Sequence, residues 1–223
     1  MTLTLTPPQI GLKKPAWLLV ATLPAYVAYL ALAVATIARE AHTSADLTPA
    51  EIDGFGVAWM AMHVLWVLPL VLAAIALVGL ARRVPGPLTR CVPAFAAIAV
   101  AAASMYLVVN ALAFGAESET WGESALYPWS PVASLVAGWF GVHVATLIVI
   151  VALVREGIAR RTALVVGIVY ALYAVFEVLT YLPVVFGPAT FADFLGGLPP
   201  FLLGIFWAVL GGGLLKSPIT SGV

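Results

Sequence analysis

The chain has 223 residues, 63% hydrophobic and 9% charged, and its ten basic and ten acidic residues cancel to a formal net charge of zero. A mean hydropathy of +1.10 does not suit a water-soluble domain of this length, where about a quarter of residues are charged, and zero net charge gives no electrostatic case for nucleic acid as a partner. The apolar runs are continuous rather than alternating, which excludes an outer-membrane barrel and leaves an all-α, polytopic integral membrane protein whose first partner is the lipid bilayer.

Six transmembrane helices are expected. Residues 1–15 form a tail in which Pro7, Pro8 and Pro15 oppose an early helix. The first span covers 16–38 and contains Pro24. It is too long for the roughly 7–15-residue apolar core of a cleavable signal and is read as a retained helix. In the loop that follows, Thr48, Pro49 and Glu51 have the spacing of a capping box with proline at the first helical position. The second helix is therefore expected to start in water at Pro49, enter the membrane near Gly54 and continue to Leu80.

A Pro85-Gly86-Pro87 turn flanked by Arg82, Arg83 and Arg90 leads to the third span, 91–114. That span is rich in small residues that allow close helix packing. Cys91, the single cysteine, opens it; one cysteine permits no internal disulfide and completes no zinc spacing. An acidic loop with Trp121, Tyr127 and Trp129, residues suited to the headgroup boundary, ends at Ser130-Pro131. That pair is expected to cap a fourth span running to Val154. The fifth span is 165–186. A loop at 187–198 and a short glycine-rich span, 199–215, complete the six-helix domain over 16–216, with a polar tail at 217–223. Gly204 and Gly211, two turns apart, are placed to face another helix.

Charge sets the orientation. Lys13, Lys14, Arg82, Arg83, Arg90, Arg155, Arg160, Arg161 and Lys216 fall on one side of this topology and only Arg39 on the other. Eight of the ten acids lie opposite, Glu156 and Glu177 being the exceptions. The positive-inside rule then puts both termini in the cytoplasm of a cell with this protein in its inner membrane.

Glu177 sits in no loop. It lies within VVGIVYALYAVFEVLTYLPVVF, residues 165–186, and an acid in hydrocarbon is a functional-site candidate by default. Tyr173, Glu177 and Tyr181 recur every fourth residue and share a helix face, which must point into the bundle. His63 and His143 lie roughly 13 and 16 Å inside the outer boundary, and Glu177 about 13 Å, at 1.5 Å rise per residue. Tyr106 and Asn110 fall in the same outer half. The two histidines are preceded by Trp59 and Trp139 in a shared Trp-x-x-x-His-Val pattern, consistent with a repeated two-helix hairpin.

Glu177, His143 and His63 are thus the candidate proton-handling groups, with Tyr173, Tyr181, Tyr106, Asn110, Trp59 and Trp139 as candidate ligand-binding residues. Two imidazoles at similar depth also match the axial ligation of b-type haem. No other cofactor motif is present, and no three- or four-ligand zinc pattern exists. Phosphate-binding, dinucleotide-binding and serine-hydrolase signatures are missing.

Phe140-Gly141-Val142-His143, the turn Leu153-Val154-Arg155-Glu156-Gly157-Ile158-Ala159-Arg160, Gly167 with Tyr170, and Leu198-Pro199 with Leu214-Leu215-Lys216 resemble a broad group of bacterial multi-pass proteins known only as a domain of unknown function. The likeness covers about the C-terminal third. Its usual proline in the basic turn is replaced here by Ala159 or Arg160. It implies the six-helix architecture and no activity.

The expected function is binding or conversion of a small lipophilic molecule in an outer-half polar pocket. An accessory subunit without chemistry, a proton-linked transporter and a haem protein are the alternatives.

Overall fold

The computed structural model describes residues 11–40, 46–84, 86–186 and 198–217, without the side chains at 37–40, 139, 178–186 and 198–201. Every regular element among the described residues is helical, and there is no strand among them. The elements are α1 (Lys13–Glu40), α2 (Pro49–Phe55), α3 (Val57–Ala81), α4 (Val92–Ala111), α5 (Trp129–Leu135), a π-helical segment (Val136–His143), α6 (Val144–Arg155), α7 (Arg160–Phe186) and α8 (Leu198–Leu215). Among the described residues, four stretches are long and apolar enough to cross a membrane: Lys13–Thr36, Val57–Ala81, Thr89–Gly115 and Trp129–Arg155.

The first helix starts before the expected 16, because Pro15 sits in its opening turn, where a missing N–H costs nothing. The capping box forms as expected: the Glu51 amide donates to the Thr48 hydroxyl at 3.3 Å, and the Glu51 carboxylate accepts from the Thr48 amide at 2.7 Å. The helix it starts is not continuous with the next span. Gly56 adopts φ +50° and separates α2 from α3, a conformation open to glycine because it has no Cβ.

The fourth span also departs from expectation. It begins at Trp129 behind Pro128, and Ser130 makes no cap. Its hydroxyl instead accepts from the Asn110 side chain at 3.0 Å. The span then passes through eight residues of π-helix before returning to α geometry at Val144. Of the loop expected at 187–198, only residue 198 is described, and it already belongs to α8.

The helices close a cycle: α1 packs on α3, α3 on α4, α4 on the π segment, α6 on α7, α7 on α8, and α8 back on α1. Small residues set the close crossings. A Cβ on Gly211 would lie 2.5 Å from the Ala16 carbonyl oxygen, and one on Gly204 2.8 Å from the Tyr26 ring, so both glycines face α1 as expected. Leu19, Tyr26, Leu70, Leu77, Val149, Leu153 and Trp207 belong to one contiguous core. A smaller cluster of Leu47, Ile52, Trp59, Met62, Val109, Ala113 and Trp121 lies beneath the acidic loops. There the Trp121 amide donates to the Leu47 carbonyl at 2.7 Å.

Outward-facing apolar side chains such as Val34, Ile75, Val108, Leu172 and Val175 are exposed, as lipid-facing residues are when no hydrophobic penalty attaches to them. The same helix, α7, turns Tyr170, Tyr173 and Glu177 inward.

Candidate functional site

Three polar side chains meet where the π segment, α7 and α8 pack together. His143 ends the π segment and is 0% exposed. Its Nε2 is hydrogen-bonded to the Glu177 carboxyl, and its Nδ1 lies 2.8 Å from the Tyr170 hydroxyl. Tyr170 is also 0% exposed and Glu177 6%. Thr146 and Trp207 are the other polar neighbours of Tyr170, and the Trp207 indole N–H donates to the Thr146 hydroxyl at 3.2 Å.

The surroundings are aromatic. The Tyr170 and Tyr173 rings lie 5.4 and 6.1 Å from the imidazole, and Phe206 of α8 packs on both tyrosines at 5.7 and 5.4 Å.

Local backbone explains why His143 can reach Glu177. In an α-helix a histidine is well placed to bond the carbonyl four residues back, which is what His63 does. The π segment widens the backbone over Val136–His143. It also lets Gly141 press on α4: a Cβ there would sit 2.4 Å from the Ala99 Cβ and 2.6 Å from its Cα. With this crossing in place, His143 directs both ring nitrogens to α7.

The protonation chemistry follows from placing these groups in an apolar interior, where net charge is costly. Two of the arrangements that keep the site neutral overall are linked directly. Either the glutamic acid donates to Nε2, or the carboxylate accepts from an imidazolium. They differ by one proton moved across a single hydrogen bond. In both, Nδ1–H donates to the Tyr170 oxygen. Removing a proton leaves Nε2–H on the carboxylate and turns Tyr170 into the donor to Nδ1. Glu177, His143 and Tyr170 therefore form a continuous path whose hydrogen bonds reverse direction with one proton.

His63 is not part of it. Its Nδ1 donates to the Trp59 carbonyl at 2.8 Å, and its ring packs on Trp59 at 4.4 Å and Tyr106 at 5.5 Å. Trp59 donates to the Asn110 carbonyl at 2.9 Å, and the Asn110 amide donates to the Tyr106 carbonyl at 2.8 Å as well as to Ser130. These residues stitch α3, α4 and α5 together. Of the two candidate imidazoles, His143 alone is hydrogen-bonded to Glu177 among the described residues. Tyr173 lies beside the site as expected, whereas the side chains of Tyr181 and Trp139 lie outside the described residues.

Haem does not fit this arrangement. Axial ligation needs an imidazole lone pair, and both His143 nitrogens are engaged by protein partners.

Tyr170, Thr146 and Trp207 were not singled out as site residues from the chemistry of the sequence. Tyr170 had a usable signal: it stands seven residues before Glu177, two turns back on the same face. Thr146 and Trp207 come from other helices and carried none. No family model, curated protein or solved structure matches the chain.

Proposed function

We propose that the chain is a six-span inner-membrane protein, cytoplasmic at both ends, that binds or converts a small membrane-soluble molecule with Glu177, His143 and Tyr170 moving the proton. The observation that carries this function is the imidazole of His143, buried among apolar helices and hydrogen-bonded on one side to a carboxyl and on the other to a phenol. Such a group exchanges a proton with little rearrangement, which is the property general acid–base work requires.

Mass spectrometry of the protein purified from its native membrane tests the site. A small lipophilic molecule should accompany the wild type and be lost from Glu177→Gln, which keeps the size of the side chain and removes its acidity. Identical extracts from the two proteins would sink the proposal.

Topology has a test in the single cysteine. Cys91 is exposed at the basic end of α4. A membrane-impermeant maleimide should label it in inside-out vesicles and not in intact spheroplasts. The reverse pattern would invert the proposed orientation.

A second function, an accessory subunit without chemistry, is favoured by one feature. Both nitrogens of His143 are satisfied within the protein, so the relay also works as a buried clasp between helices. Full function of Glu177→Gln in the cell would select it.

A further inference from the structure

The ends of α6, α7 and α8 concentrate positive charge around two recesses. Arg155 ends α6, Arg160 and Arg161 open α7, and Lys216 follows α8. Arg160, Arg161, Thr162, Lys216 and Ser217 line a recess of about 400 Å³. Its walls are built by close contact: a Cβ on Gly213 would lie 2.5 Å from the Thr162 methyl, so α8 closes directly on the start of α7. Among the described residues no carboxylate pairs with Arg160, Arg161 or Lys216, and Glu156, in the same turn, is exposed and outside the recess.

The arrangement concentrates exposed positive charge that an anion would neutralise. The first turn of a helix is its positive end and favours negative charge. The first turn of α7 has two arginines and no acid. The chain adopts strained backbone to build it: Ala159, immediately before Arg160, has φ +45°, a conformation that costs about 1 kcal/mol or more for a residue with a Cβ.

A second recess, of about 460 Å³, starts from the same turn and runs between α6 and α7. Arg155 belongs to it, but the remainder is apolar, including Ile150, Val154, Ala163 and Ile168.

We propose that this end of the bundle binds an anionic phospholipid, with its phosphate against Arg160, Arg161 and Lys216 and an acyl chain in the α6–α7 groove. Basic pockets between spanning helices on the cytoplasmic side suit such headgroups. An apolar groove that reaches the same turn, at Arg155, favours a lipid over a soluble phosphate. This site rests on the membrane placement proposed above and is independent of Glu177.

The test uses the full chain purified in detergent, titrated with phosphatidylglycerol, phosphatidylcholine or inorganic phosphate while unfolding temperature and lipid affinity are read. Phosphatidylglycerol should raise Tm by several degrees, and the other two should not. Arg160→Ala with Arg161→Ala should weaken phosphatidylglycerol binding about 30-fold, from the worth of two basic residues at a membrane surface. Arg82→Ala with Arg90→Ala, an equal loss of charge outside the recess, should leave binding within about threefold, as expected if diffuse charge is not what holds the lipid. If the first double variant does not fold, Lys216→Ala should still weaken binding about fivefold.

Equal loss in both double variants, or equal stabilisation by phosphatidylcholine or inorganic phosphate, would overturn the proposal. Release of the protein from membranes by alkaline wash would instead overturn the membrane placement, a separate failure.

Discussion

Trp59-Met60-Ala61-Met62-His63-Val64 on α3 and Trp139-Phe140-Gly141-Val142-His143-Val144 on the fourth span share a pattern and hold their histidines in different ways. His63 lies on a regular α-helix and bonds its own backbone one turn back. His143 lies at the end of a π segment and bonds a carboxyl and a phenol on another helix. The position between tryptophan and histidine shows where they diverge. Ala61 is half-buried, whereas its counterpart Gly141 has the Ala99 backbone where a Cβ would go. A glycine that lets one helix press on its neighbour, together with a carboxyl on the facing helix, turns the same motif from a contact with its own backbone into a hydrogen-bonded link between helices.

The largest way to break this comparison is at the buried pair. His143→Leu removes the imidazole that the buried Glu177 carboxyl bonds and should destabilise the protein by about 3–5 kcal/mol, whereas adding Glu177→Leu should recover most of that loss. Reversible unfolding in mixed micelles measures both. A single variant as stable as the wild type would mean that the pair contributes nothing to holding the helices. Next comes the crossing. Gly141→Ala should cost about 1–3 kcal/mol through overpacking against Ala99, and its counterpart Ala61→Gly about 1 kcal/mol or less through helix propensity alone. Equal effects would show that the two copies pack alike.

A smaller change is expected at the first histidine. His63→Leu should cost about 1–2 kcal/mol, because it removes the bond to the Trp59 carbonyl and the one to the Asn110 side chain. In the same mass-spectrometric assay it should retain any molecule that Glu177→Gln loses; loss from both variants would join the two clusters into one site.

The smallest effect lies at the capping box of α2, ahead of the first copy. Thr48→Ala should loosen α2 by about 1 kcal/mol, seen as faster hydrogen exchange over Pro49–Phe55. The Thr48 amide and hydroxyl hold the Glu51 carboxylate below the ordinary glutamate value. Its contribution to stability is therefore complete above that ordinary value and disappears as pH falls through the lower, folded one. Protection of α2, corrected for the pH dependence of intrinsic exchange, should fall only in acid, and Glu51→Gln should flatten that response.

Several features could be read directly from residue order. Continuous apolar runs located, to within a few residues, the four stretches among the described residues that are long and apolar enough to span a membrane. Thr48, Pro49 and Glu51 identified their own capping box, because its three bonds join residues at most three apart. The four-residue spacing of Tyr173 and Glu177 placed them on one inward face, since an acid turned to lipid is too costly. Local rules failed where a distant group decided. Ser130 has the chemistry of a cap, but the Asn110 amide reached it first. Gly56 broke a helix that hydropathy alone would continue. Tyr181 and Trp139, both named from spacing, have side chains outside the described residues.

Residue order by itself determined a membrane-spanning helical chain with one acid buried in it, because the cost of charge and unpaired backbone in hydrocarbon is a property of each segment. Only the tertiary structure decided which histidine that acid meets and that Tyr170, Thr146 and Trp207 surround the meeting point. Those partners come from different helices, and their approach depends on a π segment and on a glycine pressed against Ala99. A one-dimensional pattern carries the periodicity of each helix but not the contacts between helices that select one imidazole over the other.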